Sequence, residues 1–181
     1  IDASKISVVH LAVNKDKNVR ERSLNIRPFI LYVGIRQRYK NFINAIKAYA
    51  RSNKLKLNFD FVCFGGGNFS KIEEELFRSL SLDRSRIHYF EGDQLDLNYF
   101  YHKARIFIFP SLYEGFGIPL LEAMNMECPV ICSESSCFPE IVNDAAILFD
   151  PTDIESLEFK MEKLIYDDQL LLNLKKKGND N

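Results

Sequence analysis

The chain has 181 residues, enough for one domain with a substantial core and a squeeze for two. Its 24 basic and 25 acidic residues leave a formal net charge of −1. That balance argues against a general nucleic-acid or membrane-surface binder, which needs an excess of positive charge to hold phosphates. Aromatic bulk is plentiful, with 15 Phe and 8 Tyr, yet no apolar run approaches the length that spans a bilayer.

Residues 1–14 lack the basic region and apolar block of a secretory signal. The first residue is Ile1 rather than Met, so the chain is expected to be a piece of something longer. Within this stretch residues 6–13 are apolar, whereas residues 14–27 are polar, charged and without periodicity, the composition of a connector. Residues 29–33 form a continuous apolar run closed by Gly34, the pattern of a buried parallel strand. A basic loop with Arg36, Arg38 and Lys40 comes next. Phe42, Ile43, Ile46, Tyr49 and Ala50 then recur at helical spacing and predict a helix over 41–52.

The cycle repeats. Residues 59–64 read as a second strand, followed by Gly65, Gly66 and Gly67 and a helix over 70–80 with Ile72, Leu76 and Leu80 on one face. The triple glycine reads as a tight turn or a close backbone approach rather than a phosphate cradle. A third strand is predicted at 87–90, a helix at 95–103 with Asp96 as its cap, and a fourth strand at 106–109. Pro110 breaks that strand, and a helix restarts near Pro119. Residues 129–132 make a fifth strand, a short helix covers 139–142, and a sixth strand lies at 146–149. The tail, 153–177, reads as one or two amphipathic helices, capped by Asp153 and stopped by Gly178.

Strands alternating with helices at this interval predict an α/β fold: a six-stranded parallel sheet, Rossmann-like, with helices on both faces. The order expected for six such strands is 3-2-1-4-5-6, which sets the loops after strands one and four side by side over the ligand crevice. Cys63 and Cys132 fall in apolar runs expected to be buried. The spacing of Cys128, Cys132 and Cys137 matches no ribbon or finger, so no metal is expected. Free thiols point to a reducing compartment. His10, His88 and His102 are scattered and read as structural or surface residues. The dinucleotide fingerprint G-x-G-x-x-G is missing after the first strand, which argues against a bound NAD or FAD.

The segment 105–126 carries the chemistry. Glu114 lies in the loop after the fourth strand, and Glu122 about one turn inside the following helix. Gly115 and Gly117 between them let a ligand approach bare backbone. A helix N-terminus offers unpaired N–H groups and the positive end of its dipole; here the donors are the amides of Phe116, Gly117 and Ile118. Glu122 is placed to accept hydrogen bonds from a vicinal diol such as a ribose. Arg36, Arg38 and Lys40 would face this turn across the crevice, which makes a site for a diphosphate.

E-G-F-G-I-P-L-L-E-A-M, residues 114–124, resembles the E-x7-E signature of retaining glycosyltransferases with the GT-B fold, specifically family 4, with Glu114 and Glu122 matching its two glutamates. Y-V-G-I-R-Q-R-Y-K-N, residues 32–41, is similar to that family's phosphate-binding segment. It matches Arg36 and Lys40 to the pair that holds the donor diphosphate, with Arg38 an alternative to Arg36. F-E-G-D-Q-L, residues 90–95, resembles the loop that holds the nucleobase through backbone groups and brings in Gly92 and Leu95. One departure is Glu127, where family members usually carry Gly.

The resemblance implies the C-terminal, donor-binding half of such an enzyme. Residues 1–28 would be a strand and connector from a preceding domain, 29–168 the nucleotide-sugar-binding domain, and 169–181 the end of a truncated C-terminal helix. The donor would be a nucleoside diphosphate sugar, with no further cofactor and no metal. Glu114, Arg36 and Lys40 would serve transfer, and Phe116, Gly117, Ile118, Glu122, Gly92 and Leu95 would bind the nucleotide. The acceptor, a saccharide or lipid-linked saccharide of surface polysaccharide or glycolipid synthesis, would arrive through an N-terminal domain. The expected location is the cytoplasm or the inner face of the membrane. Alternatives are a non-catalytic nucleotide-sugar-binding module and a GT-B epimerase acting on a UDP-sugar.

Overall fold

The computed structural model describes residues 17–181, so the apolar stretch predicted at 6–13 lies outside the described residues. Six short runs of aromatic and β-branched residues form a single parallel sheet: β1 (Phe29–Val33), β2 (Asp60–Phe64), β3 (Ile87–Phe90), β4 (Ile106–Phe109), β5 (Val130–Ser133) and β6 (Ala146–Phe149). Their order is β3-β2-β1-β4-β5-β6, as predicted, with β1 pairing β2 on one side and β4 on the other. Leu31 stands opposite both Val62 and Phe107. The chain therefore reverses direction of winding between β1 and β4, and the loops leaving these two strands flank one crevice.

Side chains alternate across each strand, and the two faces feed separate cores. Ile30, Tyr32, Phe61 and Ile108 pack with α1 (Phe42–Arg51), α3 (Lys71–Ser79) and α7 (Ile154–Ile165). Phe29, Leu31, Phe107 and Phe109 pack with α4 (Gln94–Lys103), α5 (Ile118–Asn125) and α6 (Phe138–Val142). A short α2 (Asn53–Asn58) and a final α8 (Asp168–Asp180) complete the helices. Among the described residues no helix is long and apolar enough to cross a membrane. Cys63, Cys128 and Cys132 are buried free thiols.

Several local expectations are corrected. Ile43 and Ile72 are exposed rather than part of the helical stripes. In α3 the buried residue is Phe77, and Ile72, five positions earlier, lies roughly 140° around the helix from it. The cap of α4 is Asp93, whose carboxylate accepts the amides of Leu95 and Asp96 at 3.0 and 3.2 Å. Asp96 returns the bond by accepting the Asp93 amide at 3.1 Å, a reciprocal capping box. Ser52 ends α1 and caps α2 by accepting the Leu55 amide, so the chain turns into a new helix where a loop was expected. Gly178 does not stop the last helix. It lies inside α8, and a Cβ there would come within 3.1 to 3.4 Å of Met124 on α5; the missing side chain lets two helices approach.

Residues 17–27 are no free connector. They lie along α4: Asn98 donates to the Asn18 carbonyl, Tyr99 to the Arg22 carbonyl, and the Arg20 amide to the Leu95 carbonyl. Asp96, 2% exposed, takes the guanidinium groups of Arg20 and Arg22, each at 2.7 Å.

Candidate functional site

Three loops meet at the carboxyl end of the sheet. The first leaves β1 through Gly34, at φ 107°, and tightens into a 3-10 turn at Arg38–Lys40. The fourth runs from Phe109 to the start of α5. They touch directly: the Leu112 amide donates to the Tyr39 carbonyl at 2.7 Å. Lys40 Nζ stands 2.6 Å from Glu114 Oε1, both side chains mostly buried. Apart from this ion pair, Oε1 has no hydrogen-bond partner among the described residues.

Gly117 caps α5 in the left-handed region, φ 102° and ψ 43°. A side chain there would meet Leu120 and Phe138 at 3.1 and 3.3 Å, so glycine is required by both conformation and space. Gly115 faces open space instead. Pro119 is the second helical residue, where a missing N–H costs nothing. Among the described residues no acceptor stands at the amides of Phe116, Gly117 or Ile118, which leaves three donors at a helix start.

Glu122, half-buried, lies on the far side of this turn. Tyr101, fully buried on α4, donates to its Oε2 at 3.3 Å, and Gln94 at the head of α4 also hydrogen-bonds it. Burial raises the pKa of Glu122 above the usual glutamate value, and the two hydrogen bonds oppose that rise without cancelling it. The loop after β3 therefore reaches the same place as Glu122. Neither Tyr101 nor Gln94 was foreseen, since nothing in a helical period says which residue of another helix will meet it.

The other predicted residues have structural partners of their own. Arg36 turns away along the triple glycine: its guanidinium pairs with Glu73 and donates to the carbonyls of Gly65, Gly67 and Asn68, over the Phe69 ring at 4.8 Å. Burial pushes the Glu73 carboxyl up, but its bonds to Arg36 and Ser70 win and hold it below the usual value. Gly66 packs so closely that a Cβ would lie 2.7 Å from the Gly34 carbonyl, the close backbone approach expected of this loop. Arg38 is exposed. Gly92 lies against Asp96, where a Cβ would meet Oδ2 at 2.3 Å. Leu95 uses its amide on Asp93 and its carbonyl on Arg20.

Glu127 adopts φ 56°, a left-handed position that costs roughly 1–2 kcal/mol for a residue with a Cβ. The Cys128 amide reaches the Ala123 carbonyl and the Glu127 amide the Met124 carbonyl, at 2.9 Å each. That is a Schellman ending for α5, the geometry in which glycine is usual.

A profile of the family described as glycosyl transferases group 1 matches residues 14–181. The chain is 29% identical over 167 residues to the O-antigen chain mannosyltransferase RfbU of Salmonella typhimurium, covering 91% of the chain and 45% of that protein. It is 45% identical over 73 residues to the O-antigen chain mannosyltransferase B of Escherichia coli, 40% of the chain and 19% of that protein. In structure it is similar to the C-terminal domain of a glycosyl transferase group 1 family protein, LpcC, from Francisella tularensis. The TM-score is 0.78 at 24% identity, with 93% of this chain and 95% of that one covered. WaaG, a glycosyltransferase involved in lipopolysaccharide biosynthesis, gives a TM-score of 0.76 at 23% identity, covering 87% of this chain and 43% of that one. The chain thus spans less than half the length of these curated relatives.

Proposed function

This chain belongs to the glycosyl transferases group 1 family, and from that premise we propose that it binds a nucleoside diphosphate sugar and, joined to an acceptor-binding half, transfers the sugar with retention of anomeric configuration. Two curated relatives are O-antigen mannosyltransferases, which favours a mannosyl donor and a surface polysaccharide as product. The observation that supports the reading is the pairing of Lys40 with Glu114 at 2.6 Å, in the loop that runs directly into the unpartnered amides of residues 116–118 at the start of α5.

Each group has a chemical task. The amides and Lys40 hold the diphosphate, and fixed donors of this kind stabilise the charge it gains as the sugar leaves. Arg36, committed to Glu73 and three carbonyls, clamps the glycine loop beside the crevice, its own charge already paired. Glu122 accepts the ribose hydroxyls, and the loop at Gly92 and Leu95 borders the base. Glu114 binds donor-sugar hydroxyls and offsets positive charge developing at the anomeric carbon.

In the transfer step the bond from the anomeric carbon to the phosphate oxygen breaks, and its electron pair leaves with the diphosphate. The acceptor oxygen bonds the anomeric carbon from the same face, as retention requires. Its proton then passes to the nearest base, the departing diphosphate.

Isothermal titration with GDP-, UDP- and ADP-sugars tests the reading. One nucleotide series should bind. Lys40→Ala should weaken the diphosphate by roughly 10- to 100-fold, the worth of a charge-assisted hydrogen bond, while barely moving the nucleoside. Glu122→Ala should weaken the nucleoside part. Parent-like binding by both variants would sink the proposal.

A further inference from the structure

We infer that Ser135, Ser136 and Cys137, in the loop after β5, are positioning residues that aim the amides of the fourth loop into the crevice; this rests on the diphosphate reading above. The argument starts from the peptide unit. In a trans peptide the carbonyl of one residue and the N–H of the next point in opposite directions. A group that captures the carbonyl therefore fixes where the following amide points.

The three side chains capture carbonyls along the whole turn. Ser135 Oγ donates to Leu112 at 3.0 Å and lies 3.4 Å from the Ser111 carbonyl. Ser136 Oγ donates to the Glu114 carbonyl at 2.9 Å. Cys137 Sγ donates to the Phe116 carbonyl at 3.1 Å and stands 3.8 Å from that of Glu114. The amides opposite these carbonyls belong to Leu112, Tyr113, Gly115 and Gly117.

One peptide unit reveals which way they face. The unit joining Ser111 and Leu112 has its carbonyl beside Ser135 and its N–H on the Tyr39 carbonyl, 2.7 Å away in the first loop. The side opposite the serines is thus the side where Lys40 stands. The Gly115 and Gly117 amides likewise point away from Ser136 and Cys137, and turned as Leu112 is they would face Lys40 and the crevice. Without the clamp, either peptide unit could flip and present a carbonyl oxygen, which would repel an anion. Gly115 and Gly117 make such a flip easy, because glycine has little steric barrier to it.

The test compares affinities for a nucleoside diphosphate and its nucleoside, by titration, in the parent, Ser136→Ala, Cys137→Ala, the double variant and Cys137→Ser. Each alanine should cost roughly fivefold in diphosphate affinity, the worth of one ordinary hydrogen bond, and leave nucleoside affinity nearly unchanged. Cys137→Ser, which keeps a donor, should restore binding. Equal loss of both ligands, or no loss in the double variant, overturns the inference. A second measurement needs no variant: diphosphate added to the isotope-labelled parent should move the Gly115 and Gly117 amide resonances strongly, and failure to do so also overturns it. A parent that binds neither ligand defeats the diphosphate reading itself and this inference with it.

Discussion

Glu122 is held in a setting that opposes its own charge. Burial raises its pKa above the ordinary 4.5, and Tyr101 and Gln94 soften the effect. Because the folded-state value is the higher one, the stability linked to this group is fully present at low pH and is lost as pH rises through the raised pKa. Ligand binding runs the other way, since a ribose diol donates its hydrogen bonds best to the ionised carboxylate. Nucleoside affinity should therefore fall on acidification already above pH 4.5, with the decline absent in Glu122→Gln. Titrations across the acidic range check this; an identical pH profile in the variant would detach Glu122 from the nucleoside. The roles of Glu114 and Glu122 could be suggested from their spacing around two glycines. Their partners Lys40, Tyr101 and Gln94 differ in that respect: Lys40 sits in a motif, whereas the other two are set by how α4 packs on α5, which no local pattern encodes.

At the scale of elements, the apolar strands were legible because a strand buried on both faces is one unbroken apolar run. β1 and β4, in the middle of the sheet, begin and end where the runs do, and the partly buried edge strands β3 and β6 also keep the expected bounds. Helix ends were harder. Asp93 and Asp96 are both plausible caps, and only the reciprocal bonds between them assign the roles. Gly178 has the composition of a stop and the function of a packing contact. The least legible element was the segment 17–27, which has the composition of a connector yet sends two of its charges, Arg20 and Arg22, onto buried Asp96. That carboxylate is held below its ordinary value of 3.8: burial pushes it up, and the bonds from Arg22, the Asp93 amide and Arg20 prevail. Its contribution is present above pH 3.8 and is lost as pH falls through the depressed value. Asp96→Asn should lower the thermal midpoint at neutral pH, shrink the acid-induced loss, and open the chain to trypsin at Arg20 and Arg22. A variant as protease-resistant as the parent would mean that the hydrogen bonds to Asn98 and Tyr99 suffice to hold the segment.

Across the whole molecule, the sheet brings its chemistry to one end, where the described residues leave an exposed rim. Ile35 and Tyr39 on the first loop, Leu112 and Tyr113 on the fourth, and Ile118 at the start of α5 are all exposed, so the crevice has an apolar rim beside its charged floor. Grouped apolar side chains around a charged cleft suit a surface that another body covers. In the proposed transfer, covering would also matter for catalysis: excluding water would strengthen the electrostatic contacts of Lys40 and Glu114 and protect the sugar in transit from hydrolysis. The proposed acceptor half would do both, and it would bring the second substrate to the face of the sugar from which the diphosphate leaves. The chain alone should therefore bind donor with full dependence on Lys40 and Glu122, yet give no multiple turnover of a labelled nucleotide sugar onto a saccharide acceptor. The same assay with the acceptor half joined should restore transfer, and Glu114→Gln should abolish it there without removing donor binding. Repeated turnover by the chain alone would mean that the rim needs no cover and that these three loops carry the whole reaction.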